Sequence, residues 1–419
     1  MILPTMYRVR QHLERPILSD IPGTVQSELE RLDLAQRIKP GQRVALTAGS
    51  RGIANIPVIL KAVADHLKSL GARPFLIPTM GSHGGGIAAK QRSILESYGI
   101  TEEFVGVPIL ASMETVEIGT TPEGWPVHLD RHAHEADHIA VIARIKPHTA
   151  FHGPIESGLL KMMLIGLGKH AGALWYHRLL IEQEYDRVVR SVARTLLACA
   201  PIAFGLAIVE NGYDETAFIE AIEPDDFERR EEALLIQARR LLPKLPVRTG
   251  DLLIVDQIGK EISGSGMDTN VVGRKRAFRG QPAPPEMPNY RLIFVRALSP
   301  KTQGNASGIG LADFTTNRLI QSMNYADTVT NCLTAGYPEG AFLPVTMNSD
   351  REVIEAALKI IGLRQPHEAR VVRILDTLHV DEVEVSQAVL DDPSPQTRFE
   401  VIAPLGPYCF DDQGNLAPL

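Results

Sequence analysis

The first 245 residues alternate short β-branched or apolar runs with stretches of helical period, and this alternation limits the fold more than any other feature. "QRVALTAGS" (42–50) predicts a strand, and "IPVILKAVADHLKSLG" (56–71) predicts a helix closed by Gly71. "ARPFLIPTMGS" (72–82) and "IAAKQRSILESYG" (87–99) repeat the pair, and "DHIAVIARI" (137–145) and "PIAFGLAIVEN" (201–211) predict two further strands. Strand–helix alternation of this kind specifies an α/β fold with a doubly wound, largely parallel sheet.

The length of 419 residues is that of two domains. The expected boundaries are 1–245 for an N-terminal domain and 249–398 for a smaller α/β C-terminal domain, with the site in the cleft between them and a hinge near Pro246. The second domain is expected to contain strands at 290–298 and 369–378 and helices at 310–323 and 350–362, while 399–419 folds back on the first.

Composition excludes several classes of function. A net charge of −7 is the wrong sign for coating nucleic acid or an anionic membrane surface. Cys199, Cys332 and Cys409 lie far apart without a CxxC pair, which argues against a disulfide framework, a structural zinc or an iron–sulfur cluster. The first twenty residues lack the basic-then-apolar pattern of a signal peptide, and no window is apolar enough to span a bilayer. A cytoplasmic protein is expected.

Polar groups capable of chemistry recur at strand ends. The first strand ends in "GSRG" (49–52), the second in "GSHGGG" (81–86) and the third in "KPH" (146–148), so Arg51, His83 and His148 are expected to converge at one sheet edge. "GSHGGG" suits a tight turn or an anion cradle, with Gly81, Ser82 and Gly84 as its candidate contacts. In "SGLLKMMLIGLG" Lys161 has apolar neighbours on every side, which points to a reactive amine or to an ion pair with Glu156. His148 and His152 are four apart, but Pro147, Gly153 and Pro154 argue against a helix that would align them as metal ligands. After the strand near 250–256, "DQIGKEISGSGMDTNVVGR" gathers Asp256, Lys260, Asp268, Asn270 and Arg274 among glycines, in the manner of either a ligand loop or an exposed one.

The ordered set "GSRG", "GSHG", "IKPH", a lysine in an apolar run and a following histidine resembles the lactate racemase superfamily over roughly residues 40–210. That resemblance implies a nickel-pincer nucleotide, a pyridinium bisthiocarboxylate mononucleotide tethered to a lysine and holding nickel, which accepts and returns a hydride at a hydroxyl-bearing carbon. By position, His83 and His148 are similar to the two acid/base residues, Lys161 to the tethering lysine, and His177 to the nickel ligand, with His170 as the alternative. Arg51 resembles the arginine that receives the substrate carboxylate, and Lys260 and Arg318 are the second-domain candidates for substrate contact. The implied partners are a small hydroxy acid or sugar derivative and the enzymes that make the cofactor. This chain departs from the lactate enzymes at Ala48, where they carry aspartate, and at "GLLK", where they carry "GGRK". These departures widen the expected substrates to larger hydroxy acids, sugar acids and polyols. Two other readings of the residues are a Schiff-base lysine enzyme of the pyridoxal phosphate type and a non-catalytic nucleotide-binding or cofactor-handling protein.

Overall fold

The structure, a computed structural model, describes residues 1–50, 52–278 and 283–419. Its strands run β1 (Thr5–His12), β2 (Arg43–Ala48), β3 (Arg73–Pro78), β4 (Thr115–Thr120), β5 (Pro126–Asp130), β6 (His138–Arg144), β7 (Ile202–Glu210) and β8 (Thr216–Ile222). They continue with β9 (Thr249–Ile258), β10 (Asn289–Leu298), β11 (Phe314–Thr316), β12 (Val345–Met347), β13 (Val371–Ile374), β14 (Glu382–Ser386) and β15 (Arg398–Pro407). Two compact units divide the chain: Arg15–His148 with His152–Leu241, and Met1–Glu14 with Thr149–Phe151 and Leu242–Leu419.

The first unit is built on a five-stranded sheet in the order β3-β2-β6-β7-β8, with β4 and β5 as a separate hairpin. β2 pairs in parallel with both β3 and β6, β6 pairs in parallel with β7, and only β8 runs antiparallel. Counting strands within this sheet, the order is 2-1-3-4-5, and the winding direction reverses between β2 and β6. The core strands read as continuous apolar runs because both faces are covered: Val44 through Ala48 are all buried. The covering helix Ile56–Ser69 turns Ile56, Ile59, Leu60, Val63 and Leu67 inward at helical spacing. It ends at Gly71, whose φ of +80° is a conformation that most side chains resist.

The second unit holds an eight-stranded sheet in the order β12-β11-β10-β9-β13-β14-β1-β15, parallel from β12 to β13 and antiparallel thereafter. It has its own core around Leu253, Val255, Ile293, Val295, Val372 and Val383. Two boundary expectations are corrected here. β1 pairs with β14 on one side and with the 399–407 stretch on the other, so both chain ends belong to this unit and not to the N-terminal one. Charge pairs such as Arg8–Glu384 and Arg10–Glu382 match β1 to β14 across the ladder. The helix expected over 310–323 is also shorter. Phe314–Thr316 forms a strand, consistent with its paired β-branched threonines, and the α-helix covers only Asn317–Ser322, capped by Thr316. Among the described residues no helix is long and apolar enough to cross a membrane.

Candidate active site

In open parallel sheets ligands bind beyond the carboxyl ends of the strands, where the winding direction reverses. In the first unit that position lies between β2 and β6, and the loops after β2, β3 and β6 all leave the same edge. These are the loops that carry Ser50, His83 and His148. Arg51 lies outside the described residues.

The loop after β3 is shaped by its glycines. Gly84, Gly85 and Gly86 follow His83 in succession with φ of +64°, +67° and +66°, a left-handed run that residues with side chains avoid. Fully buried Gln91 clamps the loop, its amide donating to Gly81 O at 2.9 Å and to His83 O at 3.0 Å. The His83 side chain is exposed, and Ser50 Oγ lies 2.5 Å from its Nδ1. The following helix, Ala88–Ser97, begins without a side-chain cap, leaving its first amides beside the loop available to an anion. Gly81, Ser82 and Gly84 lie in the loop that precedes this helix, and Gly81 packs against Ile165 and Ala173.

Lys161 ends a short helical turn, Leu159–Lys161, that runs directly into a π-helical segment, Met162–Leu167. Wide turns of this kind are rare and concentrate at functional sites. The segment crosses the ends of β2 and β3 so closely that a side chain at several glycines would crowd it. A Cβ on Gly49 would lie 3.2 Å from Met162, one on Gly81 3.0 Å from Ile165, and one on Gly166 2.5 Å from Met162 Sδ and 3.1 Å from Thr79 O. His170 continues the crossing, its ring 3.0 Å from where a Cβ of Gly86 would stand.

The expectation that Lys161 is walled off by apolar neighbours needs correcting. Lys161 is half-buried and its Nζ lies 3.4 Å from Ser157 Oγ. The fully buried lysine is Lys169, eight residues on, with φ of +54° at the start of the helix Lys169–Glu182. Its Nζ donates to Pro78 O at 2.6 Å and pairs with buried Asp130 at 3.2 Å. Burial pushes the Lys169 ammonium down from its ordinary pKa, and the Asp130 charge pushes back. This pair fastens the lysine-bearing segment to the end of β3 and to the β5 hairpin.

His177 stands on the helix Lys169–Glu182 with its side chain reaching the surface. Desolvation lowers its pKa first and the positive charge of Lys161 second, so the two residues lie within electrostatic range. The result is a neutral imidazole, the form a metal requires. Nδ1 of His170 is buried without a hydrogen-bond partner, which keeps His170 as the alternative ligand.

His148 leaves β6 on an excursion closed by reciprocal backbone hydrogen bonds between Lys146 and Ser157 at 3.0 and 3.2 Å. Fully buried Glu156 organises this loop. It accepts from His148 N at 2.5 Å and from Gly153 N at 3.3 Å, pairs with Arg239 at 2.7 Å and stands 3.3 Å from His152 Nδ1. Tyr185 donates to the Glu156 carbonyl, and its ring lies roughly parallel to that of His148 at 6.5 Å. His152 is therefore engaged by Glu156, and no helix brings His148 and His152 into register.

A second buried acid stands behind Lys161. Glu231, on the helix Phe227–Leu241, accepts from Leu160 N at 3.0 Å and so caps the turn that presents Lys161. Its other oxygen is buried without a partner. Burial raises its pKa to about 7 against the pull of the Leu160 and Leu159 amides. Gly158 makes room for it, since a Cβ there would lie 2.3 Å from the carboxylate and 2.6 Å from Ile145.

The sequence profile of the lactate racemase N-terminal domain matches residues 23–188, the span that carries all of these loops. Over this span the chain is similar to the lactate racemase N-terminal domain. The chain is similar in structure to the lactate racemase apoprotein from Thermoanaerobacterium thermosaccharolyticum, with a TM-score of 0.53 over 89% of this chain and 93% of that one. At 16% identity the likeness speaks to the fold. Among curated proteins none matches the chain in sequence.

The second unit holds the remaining candidates. Lys260 donates to Gly264 O at 2.9 Å within its loop. Arg318 pairs with Asp350 at 3.0 Å and donates to Asn415 at 2.6 Å. Asp256, which the sequence placed beside a ligand loop, is instead buried on β9 between Arg296 at 2.5 Å and Arg373 at 2.7 Å. Among the described residues no three His, Cys, Asp or Glu side chains gather to hold a metal on their own.

Sequence reasoning missed Gln91, Lys169 and Glu231. Glu231 had a signal: it falls on the apolar stripe of its helix with Phe227, Leu234, Leu235 and Ala238. Lys169 had one too, as the second lysine of the same apolar run.

Proposed function

We propose that this protein is a racemase or epimerase that inverts a hydroxyl-bearing carbon of a 2-hydroxy acid, or of a related sugar acid or polyol, with a nickel-pincer nucleotide tethered to Lys161. The observation that supports it most is the meeting of the His83 loop with the Lys161 segment over the strand ends at the reversal point of the sheet.

The residues present fit the cofactor. Lys161 offers a half-buried amine at the end of a capped turn. His177 offers a neutral imidazole within electrostatic range of that amine, and imidazole is a good ligand for nickel. One histidine suffices as the protein's ligand when the nucleotide supplies the rest, in keeping with a chain whose described residues form no larger metal cluster. The glycine loop and the uncapped helix Ala88–Ser97 offer amides to a nucleotide phosphate. When bound, the nucleotide would supply an acceptor for the hydride of the substrate carbon.

The chain's own residues manage the protons. Histidine exchanges a proton near neutral pH, so His83 serves as base toward one enantiomer and as acid toward the other, with His148 in the complementary role. The buried Gln91 and Glu156 fix the backbones of these two histidines and so limit the motion that proton transfer would otherwise require. Arg51 is the proposed contact for a substrate carboxylate. Ala48, small and apolar, removes a charge from beside that contact and favours a substrate other than lactate.

The test is intact mass and metal analysis of protein co-produced with the enzymes that make the nucleotide. The loaded wild type should carry the nucleotide mass and about one nickel per chain, and Lys161→Ala should lose the adduct. His83→Ala and His148→Ala should keep the adduct and lose turnover in a screen of enantiopure hydroxy acids. An unchanged adduct in Lys161→Ala, or full activity in either histidine variant, would overturn the assignment.

A further inference from the structure

The contact between Ser50 and His83 carries an inference of its own. Ser50 Oγ stands 2.5 Å from His83 Nδ1, and both ends of this hydrogen bond are anchored. On the serine side, Tyr98 donates its hydroxyl to Ser50 O at 2.9 Å, and the preceding Gly49 packs against Met162 of the lysine-bearing segment. On the histidine side, buried Gln91 holds His83 O and Gly81 O. The ring is thus gripped at Nδ1 by a group whose own backbone is held, an arrangement that fixes tautomer and orientation.

We infer that Ser50 is a positioning residue for His83, holding the ring so that proton exchange with substrate takes place at Nε2. This rests on the reading of His83 as an acid/base. The base form of such a histidine is neutral, with hydrogen on Nδ1 and a bare Nε2. The acid form is the imidazolium, which carries both hydrogens. Nδ1–H is present in both, so one hydrogen bond, from Nδ1 to Ser50 Oγ, persists while a proton moves between the substrate hydroxyl and Nε2. The neutral tautomer with hydrogen on Nε2 has no base at that atom and needs the Ser50 hydroxyl to turn round and donate. A hydroxyl also adds no negative charge, whereas a carboxylate at Nδ1 would favour the imidazolium. A reaction whose two directions are equivalent is served best when neither form is strongly preferred.

The test uses the full chain labelled with 15N-histidine, because side-chain nitrogen shifts separate the two neutral tautomers without any turnover. His83→Gln identifies the His83 signals. In the wild type the Nδ1–H tautomer should dominate at His83, in Ser50→Ala the population should move toward Nε2–H, and Ser50→Thr should restore it. In the cofactor-loaded enzyme Ser50→Ala should lower kcat by about 10–100-fold, the usual cost of losing an orienting partner, with KM changed much less, and Ser50→Thr should recover kcat. An unchanged tautomer population in Ser50→Ala overturns the inference, as does failure of the threonine variant to restore it. If the tautomer moves as expected while the wild type turns over no hydroxy compound, the positioning role stands and the proposed activity alone fails.

Discussion

Lys169→Met removes one charge from a pair in which neither side chain reaches solvent. Lys169 and Asp130 are both fully buried and 3.2 Å apart. Methionine matches the lysine stem in volume and adopts the same backbone, so the left-handed φ of +54° is strained equally before and after the change. What changes is that Asp130 keeps its charge with no counterion, a loss worth about 3–5 kcal/mol when one member of a buried pair is deleted. Asp130→Asn retains the cap on Ala133 N at 3.0 Å and removes the charge. The double variant should therefore be less destabilised than the sum of the singles by roughly 2–3 kcal/mol, at the upper end of coupling energies between residues in contact. The assay is urea denaturation followed by tryptophan fluorescence. The chain has two tryptophans, Trp125 beside the β5 strand and Trp175 on the helix that Lys169 opens, so the signal reports on the first unit. A Lys169→Met variant within about 1 kcal/mol of the wild type, or a double variant equal to the sum of the singles, would refute the reasoning.

Two further predictions concern the turn beneath Lys161. Glu231 has a pKa of about 7 in the fold against an ordinary 4.5, so its carboxyl is protonated in both folded and unfolded chains below pH 4.5 and contributes its full stability there. As pH rises through 7 the buried group must ionise, and about 3 kcal/mol is lost by linkage. Glu231→Gln cannot ionise, so between pH 4.5 and 8 the wild type should lose roughly 3 kcal/mol more than the variant in denaturation midpoints converted to free energy. Parallel pH curves for the two proteins would show that the carboxyl does not titrate in this range. Gly158→Ala drives a methyl to 2.3 Å from the same carboxyl and 2.6 Å from Ile145. It should cost about 1–3 kcal/mol as overpacking, read by the same tryptophan signal, and a variant as stable as the wild type would mean that the turn gives way freely.

Strands β2, β3, β6 and β7 were legible because they are uninterrupted apolar runs, and β2 and β3 are each followed by a helix, as in Val44–Ala48 and the helix Ile56–Ser69, whereas β8 alternates buried and exposed positions and gave no such run. The three strand-end loops were legible for the same reason, since their polar residues fall where the apolar runs stop. The apolar run misled at Lys161, because a three-residue turn that passes straight into a π-helical stretch has no 3.6-residue stripe on which to place a side chain. The sequence misled at Asp256 because an acid next to glycines gives no hint of two arginines from distant strands. The place of the termini was hidden because strand pairing is set by registers between segments hundreds of residues apart.

That pairing has a consequence for how the chain is made. Arg8 on β1 meets Glu384 on β14, a separation of 376 residues. At about 5–20 residues per second, a ribosome needs roughly 20–75 s to deliver the second partner after the first. Throughout that interval the earliest-made strand is an open edge, the kind of surface that pairs with whatever is nearby. Arg8 and Arg10, with alternate positions turned to the polar face, give the waiting strand the charges that discourage such pairing. Newborn chains stalled before Glu382 should therefore expose β1 to proteases until the last strands arrive to cover it.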